Sequence, residues 1–188
     1  MKYKVAFYTE GSHSGKVPRI HPNMRVDLAW QVALESDHHY LGSRDMGFGY
    51  DFGIIIVPKV NPVQAFTSYY AIKNACKRVL VMQEGPNWYW EDYGLEDQIF
   101  YLNLLHDVDG ILCHNSTDVN YYRGIADKEN VFIMPTLLIE DAMPILARPD
   151  DRSGVMIGGN MCSWYSGMVS YNVALELSND IYAPSMGR

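Results

Sequence analysis

Cysteine is scarce. The three thiols, Cys76, Cys113 and Cys162, are odd in number, far apart and without a C-x-x-C pair. That argues against a disulfide framework or a zinc site and fits buried thiols in a reducing compartment. Basic charge is also short. Fifteen Lys and Arg face 22 Asp and Glu, for a net charge of −7. Wrapping DNA or RNA requires many phosphate neutralisations, so no nucleic-acid partner is expected. A small phosphorylated ligand needs only a few local donors and stays open. No apolar run approaches the roughly 20 residues of a membrane helix. The first residues, MKYKVAFYTEG, lack the apolar core and small-residue cleavage site of a signal peptide. The expectation is a soluble, cytoplasmic protein with no integral membrane segment. His38, His39 and His106 show no metal-ligand spacing, and no metal is expected.

What is present is globular. Hydrophobic residues make up 48% of the 188 and charged residues 20%, which is core-forming composition. The length suits one domain, or one domain and part of another. Fourteen Tyr and four Trp are a large aromatic load, mostly for the core, with some rings free to line a site.

Short apolar runs alternate with helix-length stretches. YKVAFYT (residues 3–9), HHYLG, YDFGIIIVPK, KRVLVMQEG, DGILCHN and NVFIMPT read as strands. The β-branched run Ile54 to Val57, ended by Pro58, is the strongest. Between them, NMRVDLAWQVALES reads as a helix capped by Asn23, with Met24, Leu28 and Val32 on one face. NPVQAFTSYYAIKNAC reads as a second, with Asn61 as cap and Pro62 in the first turn. LEDQIFYLNLLHDV carries its acids early, as the helix dipole prefers. STDVNYYRGIA opens on Ser116 as a candidate cap. Near-continuous apolar strands separated by helices predict an α/β fold: a Rossmann-like parallel sheet with helices on both faces. After Thr136 the texture changes. LLIEDAMPILARPDDRSG, with its prolines and charges, reads as a linker. GVMIGGN, MVSYNVALELS and DIYAP then repeat the β-α-β pattern as a partial second unit. The expected organisation is a first domain over 1–139, a linker over 140–153, and the start of a second domain over 154–188.

The loop after the first strand, EGSHSGKVPR, looks at first like a phosphate-binding P-loop. It is not one. Only three residues separate Gly11 from Gly15, and Val17 follows Lys16 where a magnesium-holding hydroxyl would stand. Pro18 and Pro22 prevent a helix from starting directly after Lys16. The G-x-G-x-x-G dinucleotide fingerprint is missing too. A long loop at the carboxyl end of a parallel strand is nevertheless where open α/β sheets bind ligands. Gly11, Ser12, His13, Gly15 and Lys16 are therefore candidate substrate-binding residues, with Arg19 and Arg25 adding charge. A solvated loop explains the same residues equally well.

Two further loops fall at the same expected edge. EGPNWYWEDY offers Glu84, Gly85, Trp88, Tyr89 and Trp90, whose rings match the apolar face of a pyranose. A cap over the core, or a contact between copies in a homo-oligomer, is the structural alternative. His114, Asn115 and Ser116 end one strand and open a helix, and could hold an acceptor or donor oxygen; capping by Ser116 or Asn115, alone worth roughly 1 kcal/mol, is the structural alternative. In the second unit, Gly158, Gly159 and Asn160, followed by Trp164, would let a diphosphate approach the backbone. A tight turn is the alternative there.

The segments GSHSGKVPR…NMRVDLAWQVALES and DGILCHNSTDVNYYRGIADKENVFIMPTLL resemble GT-B glycosyltransferases. The first matches their Gly-rich loop and opening helix. The second matches a strand, a serine-opened helix at Ser116, and a strand from Val131 to Pro135 leading to a second domain. SGVMIGGNMCSWYSG is similar to the opening strand and glycine loop of that second domain. The resemblance implies two facing Rossmann-like domains, with the acceptor hydroxyl held mainly by the first. The nucleotide-sugar donor is held mainly by the second, through Gly158, Gly159 and Asn160. It implies no cofactor beyond the donor substrate, and neutralisation of the diphosphate by cations and helix N-termini without metal. No Arg or Lys lies between Gly159 and Arg188, so the donor site is expected to be incomplete in this chain. A non-catalytic α/β binding module with one continuous sheet is the competing expectation.

Overall fold

The computed structural model describes residues 3–10, 15–16, 26–137, 139, 153–158 and 166–183. The chain divides into two compact units, Met1–Pro144 and Ile145–Arg188.

The first unit is built on a seven-stranded sheet. Its strands are β1 (Val5–Thr9), β2 (Gly15–Lys16), β3 (Asp37–Tyr40), β4 (Tyr50–Val57), β5 (Cys76–Gln83), β6 (Gly110–Cys113) and β7 (Val131–Ile133). Across the sheet they run β2-β3-β1-β4-β5-β6-β7. All neighbours are parallel except β2, which runs antiparallel to β3. The expected Rossmann-like α/β sheet is thus present. The order reverses at β1, so the topological switch point lies between β1 and β4.

Helices α1 (Val26–Ala33), α2 (Val63–Ala75), α3 (Leu95–Asp107) and α4 (Ser116–Ala126) join the strands. Central parallel strands are covered on both sides, and the packing follows their two-residue period. Tyr8, Ile55, Val57, Val81 and Ile111 face the side packed by α2, α3 and α4. Their neighbours Phe7, Ile54, Ile56, Met82 and Leu112 face the other side, against Trp30 of α1. In α2 the buried positions Ala65, Ser68, Tyr69, Ile72 and Ala75 recur at helical spacing. The Trp30 indole N–H donates to the Pro135 carbonyl at 2.8 Å, tying α1 to the chain leaving β7.

Three local expectations change. Asn61 does not cap α2. It adopts a left-handed conformation, φ 65°, and Pro62 precedes the helix with no side-chain cap. The α4 cap is Asn115, not Ser116, which is the first helical residue. Cys76 leaves the helical stretch and begins β5 directly. Asn23 and Met24 lie outside the described residues.

In the second unit, β8 (Val155–Met156) and β9 (Ile181–Tyr182) pair in parallel around α5 (Gly167–Leu177). This is the expected β-α-β element. Among the described residues it forms a two-stranded sheet of its own.

Candidate functional site

Parallel pairing puts the carboxyl ends of β1, β4, β5 and β6 on one rim. Val57 lies opposite Gln83 and Ile55 opposite Tyr8, and Met82 pairs with Leu112. The loops that follow these strands therefore gather there, at the edge where open α/β sheets take ligands.

Hydrogen bonds lock the β4 and β5 loops together. The Glu84 N–H donates to Val57 O at 2.9 Å, and the Lys59 N–H to Glu84 Oε2 at 3.3 Å. The Tyr93 hydroxyl donates to Pro58 O at 2.9 Å and receives the Gln83 amide at 3.1 Å. Burial pushes the Tyr93 phenol up to about 12, so it remains a neutral donor. Gly85, at φ 78°, is required as glycine because a Cβ there would lie 2.4 Å from Tyr89 Cε2. The Tyr89 ring is buried beneath that turn, with the Lys59 ammonium 4.1 Å from its centroid. Trp88 stands edge-on to Tyr89 at 4.9 Å and keeps 43% of its surface exposed.

The β6 loop joins the same group. Asn87 Nδ2 donates to Asp118 Oδ1 at 2.9 Å, bridging the β5 loop to α4. Asn115 Oδ1 accepts from the Asp118 N–H at 3.1 Å, and Asn115 Nδ2 donates to Asp118 Oδ2 at 3.0 Å. A carboxylate of the chain itself thus sits at the α4 N-terminus, where the dipole favours negative charge. His114 has an Nε2 that is buried without a hydrogen-bond partner among the described residues. Such an atom costs roughly 1–3 kcal/mol of unmet desolvation. The adjacent Cys113 thiol is pushed up, first by burial and then by Asp118, and so has little thiolate character.

Other expected site residues lie elsewhere. Gly15 and Lys16 are not at the rim. They form the edge strand β2 and pair with His38 and Asp37. Asp37 is three residues before the rim end of β3, a distance of about 10 Å. Lys16 Nζ lies 3.1 Å from Asp37 Oδ1 and donates to Glu35 O. The reason is electrostatic: the lysine finds a carboxylate on the strand beside it. Trp90 turns inward. It stacks on Tyr101 at 5.6 Å and donates its N–H to Tyr121 Oη at 2.6 Å. Ser116 is exposed in the first turn of α4. Gly158 follows β8, exposed, with open space where a Cβ would stand. Gly11, Ser12, His13, Arg19, Arg25, Gly159, Asn160 and Trp164 lie outside the described residues.

Sequence reasoning missed Lys59, Asn87 and Asp118. Lys59 follows the Pro58 that ends the strongest strand, so the strand-end rule would have found it. Asn87 and Asp118 are 31 residues apart, and no local signal pairs them. Among the described residues, Lys59 is the cation of this rim, and Glu10, Glu84 and Asp118 its acids. No group of three or more His, Cys, Asp or Glu suited to a metal occurs among the described residues. In comparisons with known proteins, no family model, no curated protein and no solved structure matched the chain.

Proposed function

We propose that this is a glycosyltransferase-like protein, whose first unit holds a hydroxyl-bearing, carbohydrate-type acceptor at the strand-end rim. The donor would be a nucleotide sugar, with Gly158, Gly159 and Asn160 of the second unit as the proposed diphosphate contacts. The observation that carries the reading is the linked group Glu84, Gly85, Asn87, Trp88, His114 and Asp118. It combines an exposed indole face, carboxylates that accept hydrogen bonds from hydroxyls, and a buried imidazole nitrogen without a partner among the described residues. A pyranose presents the complementary surface, an apolar C–H face ringed by hydroxyls.

A second reading, a carbohydrate-binding module without transfer, draws on Lys16. That cation is held by Asp37 on the sheet edge and does not supply the rim with charge. Amide chemical shifts of the full chain, titrated with neutral oligosaccharides and then with nucleotide sugars, separate the two. We expect saturable shifts at Gly85, Trp88 and His114 with an oligosaccharide, weakened about fivefold or more by Trp88→Ala, the equivalent of about 1 kcal/mol. Transfer additionally requires nucleotide-sugar binding and appearance of glycosylated product. Oligosaccharide shifts without either leave the binding module. No rim shifts with any saccharide defeat both.

A further inference from the structure

The loop after β5 is fastened to α4 at two points. Asn87 Nδ2 donates to Asp118 Oδ1 at 2.9 Å, and the Trp90 indole N–H donates to Tyr121 Oη at 2.6 Å. Asp118 and Tyr121 are three residues apart on α4, so both lie on the helix face turned to the loop. Between the two anchors stand Trp88 and Tyr89. Tyr89 is buried beneath the Gly85 turn. Trp88 is the ring left facing water, edge-on to Tyr89 at 4.9 Å.

Each anchor is itself held. Asp118 Oδ2 accepts from Asn115 Nδ2 at 3.0 Å, and Asn115 Oδ1 caps α4 through the Asp118 N–H at 3.1 Å. Amides from two different loops thus fix one carboxylate, and hydrogen bonds to a charged acceptor are the stronger kind. An ionised carboxylate has about four acceptor positions, so Asp118 can still receive a hydroxyl. At the other anchor, the Trp90 ring stacks on the buried Tyr101 at 5.6 Å. Inside the loop, the Tyr89 N–H donates to Pro86 O at 3.2 Å and the Glu91 N–H to Trp88 O at 3.0 Å. The backbone on either side of Trp88 therefore has little freedom. A ring held in place before its ligand arrives loses less entropy on binding, which raises affinity without any new contact.

We propose that α4 is the mount of the rim: Asn87, Asp118, Trp90 and Tyr121 are positioning residues that hold the exposed Trp88 ring in the orientation on which a saccharide stacks. This rests on the reading of the rim as a saccharide site. Of the run Trp88-Tyr89-Trp90, one ring meets the ligand and its neighbours hold it.

The first test uses the intact chain without ligand. The Trp88 indole N–H, followed by nitrogen relaxation, should be rigid, with an order parameter of about 0.85. Asn87→Asp sets two carboxylates against each other and should lower that value below about 0.6. Adding Asp118→Asn exchanges donor and acceptor: the new amide at 118 donates to the new carboxylate at 87, and its oxygen still accepts from Asn115. The double variant should restore the order. Tyr121→Phe keeps the ring but removes the acceptor of the Trp90 N–H, so it loosens the other anchor and serves if Asn87→Asp does not fold. The second test adds a neutral oligosaccharide. Asn87→Asp should weaken its binding about threefold. In a Trp88→Ala background the same substitution should have no further effect, because a positioning residue acts only through the ring it positions. A Trp88 indole already mobile in the parent, or equally rigid in Asn87→Asp and Tyr121→Phe, would overturn the proposal. Failure of the exchanged pair to restore order would overturn it too, since the effect would not then come from this bond. So would an undiminished effect of Asn87→Asp in the Trp88→Ala background, which would make Asn87 a direct contact. An indole that loosens as expected in a chain that binds no saccharide would support the mount and defeat the rim reading, so the two failures are told apart.

Discussion

The two ends of the first unit's sheet are built on different principles. At the amino end, three carboxylates each meet a base. Asp37 meets Lys16 at 3.1 Å, Asp51 meets Lys77 at 2.8 Å, and Asp109 meets Arg78 at 2.6 Å. Asp109 Oδ2 also accepts the Val79 N–H at 2.8 Å, and Asp51 Oδ2 accepts the Lys4 N–H at 2.9 Å. At the carboxyl end the residues bridge loops to one another, Trp88 faces water, and an imidazole nitrogen is left over. One end ties strands together through ion pairs. The other leaves the His114 nitrogen without a partner among the described residues, as the buried side-chain amide of Gln31 in α1 also is.

The sharpest way to break this contrast is at the amino half of β4. A Cβ on Gly53 would meet Cys76 Sγ at 2.6 Å and the Tyr8 ring at 3.2 Å. Both neighbours are buried, and Tyr8 Oη is held by Met46 O at 2.8 Å. Gly53→Ala should cost about 1–3 kcal/mol, the usual range for overpacking, measured by urea denaturation. Unchanged stability would show that this half of the sheet is loosely filled.

The paired carboxylates come next. For Asp109, burial alone would raise the pKa. The Val79 N–H and the Arg78 guanidinium outweigh it and hold the group below the usual range. For Asp37, burial is likewise outweighed by hydrogen bonds from Lys16 and Tyr50. The folded state therefore binds fewer protons than the unfolded chain. Their stabilisation is complete above the unfolded Asp value of about 3.9 and is lost as pH falls through the lower folded values. Asp109→Asn should cost about 1–2 kcal/mol near neutrality, after discounting for its partial exposure. It should also flatten the acid limb of stability against pH. An acid limb as steep as in the parent would place the pH dependence elsewhere.

The smallest effect belongs to the rim and has the opposite sign. His114→Leu removes a buried nitrogen with no partner among the described residues and should raise stability by up to about 1 kcal/mol, read by thermal unfolding. A fall in stability would mean that the nitrogen is satisfied in solution, and the contrast between the two ends would weaken.

Much of the fold was legible in the residues, because the central strands carry it locally. The Ile54–Val57 run and the apolar core of KRVLVMQ need no distant information to read as buried strands. The position of Lys16 was not legible. Whether a loop rises over the rim or runs back along the sheet edge depends on Asp37, 21 residues on, and spacing does not encode that partner. The divergence of Trp88 from Trp90 was not legible for a different reason. Two residues apart in a loop they read as one aromatic surface, but Tyr89–Asp92 forms a turn of 3-10 helix. Successive side chains then fan out by about 120° each, which sends Trp90 into the core and leaves Trp88 outside. Asn115 displaced Ser116 as the α4 cap through its bonds to Asp118, a choice between neighbours that propensity does not decide.

The link from Trp30 to Pro135 bears on how the protein emerges from the ribosome. The two groups are 105 residues apart, so an early helix waits for one of the last segments of its unit to be made. Closing so long a span costs entropy that local contacts do not return. The α1 side of the sheet should therefore settle last during synthesis, with its apolar strand faces open to chaperones until Pro135 has left the exit tunnel.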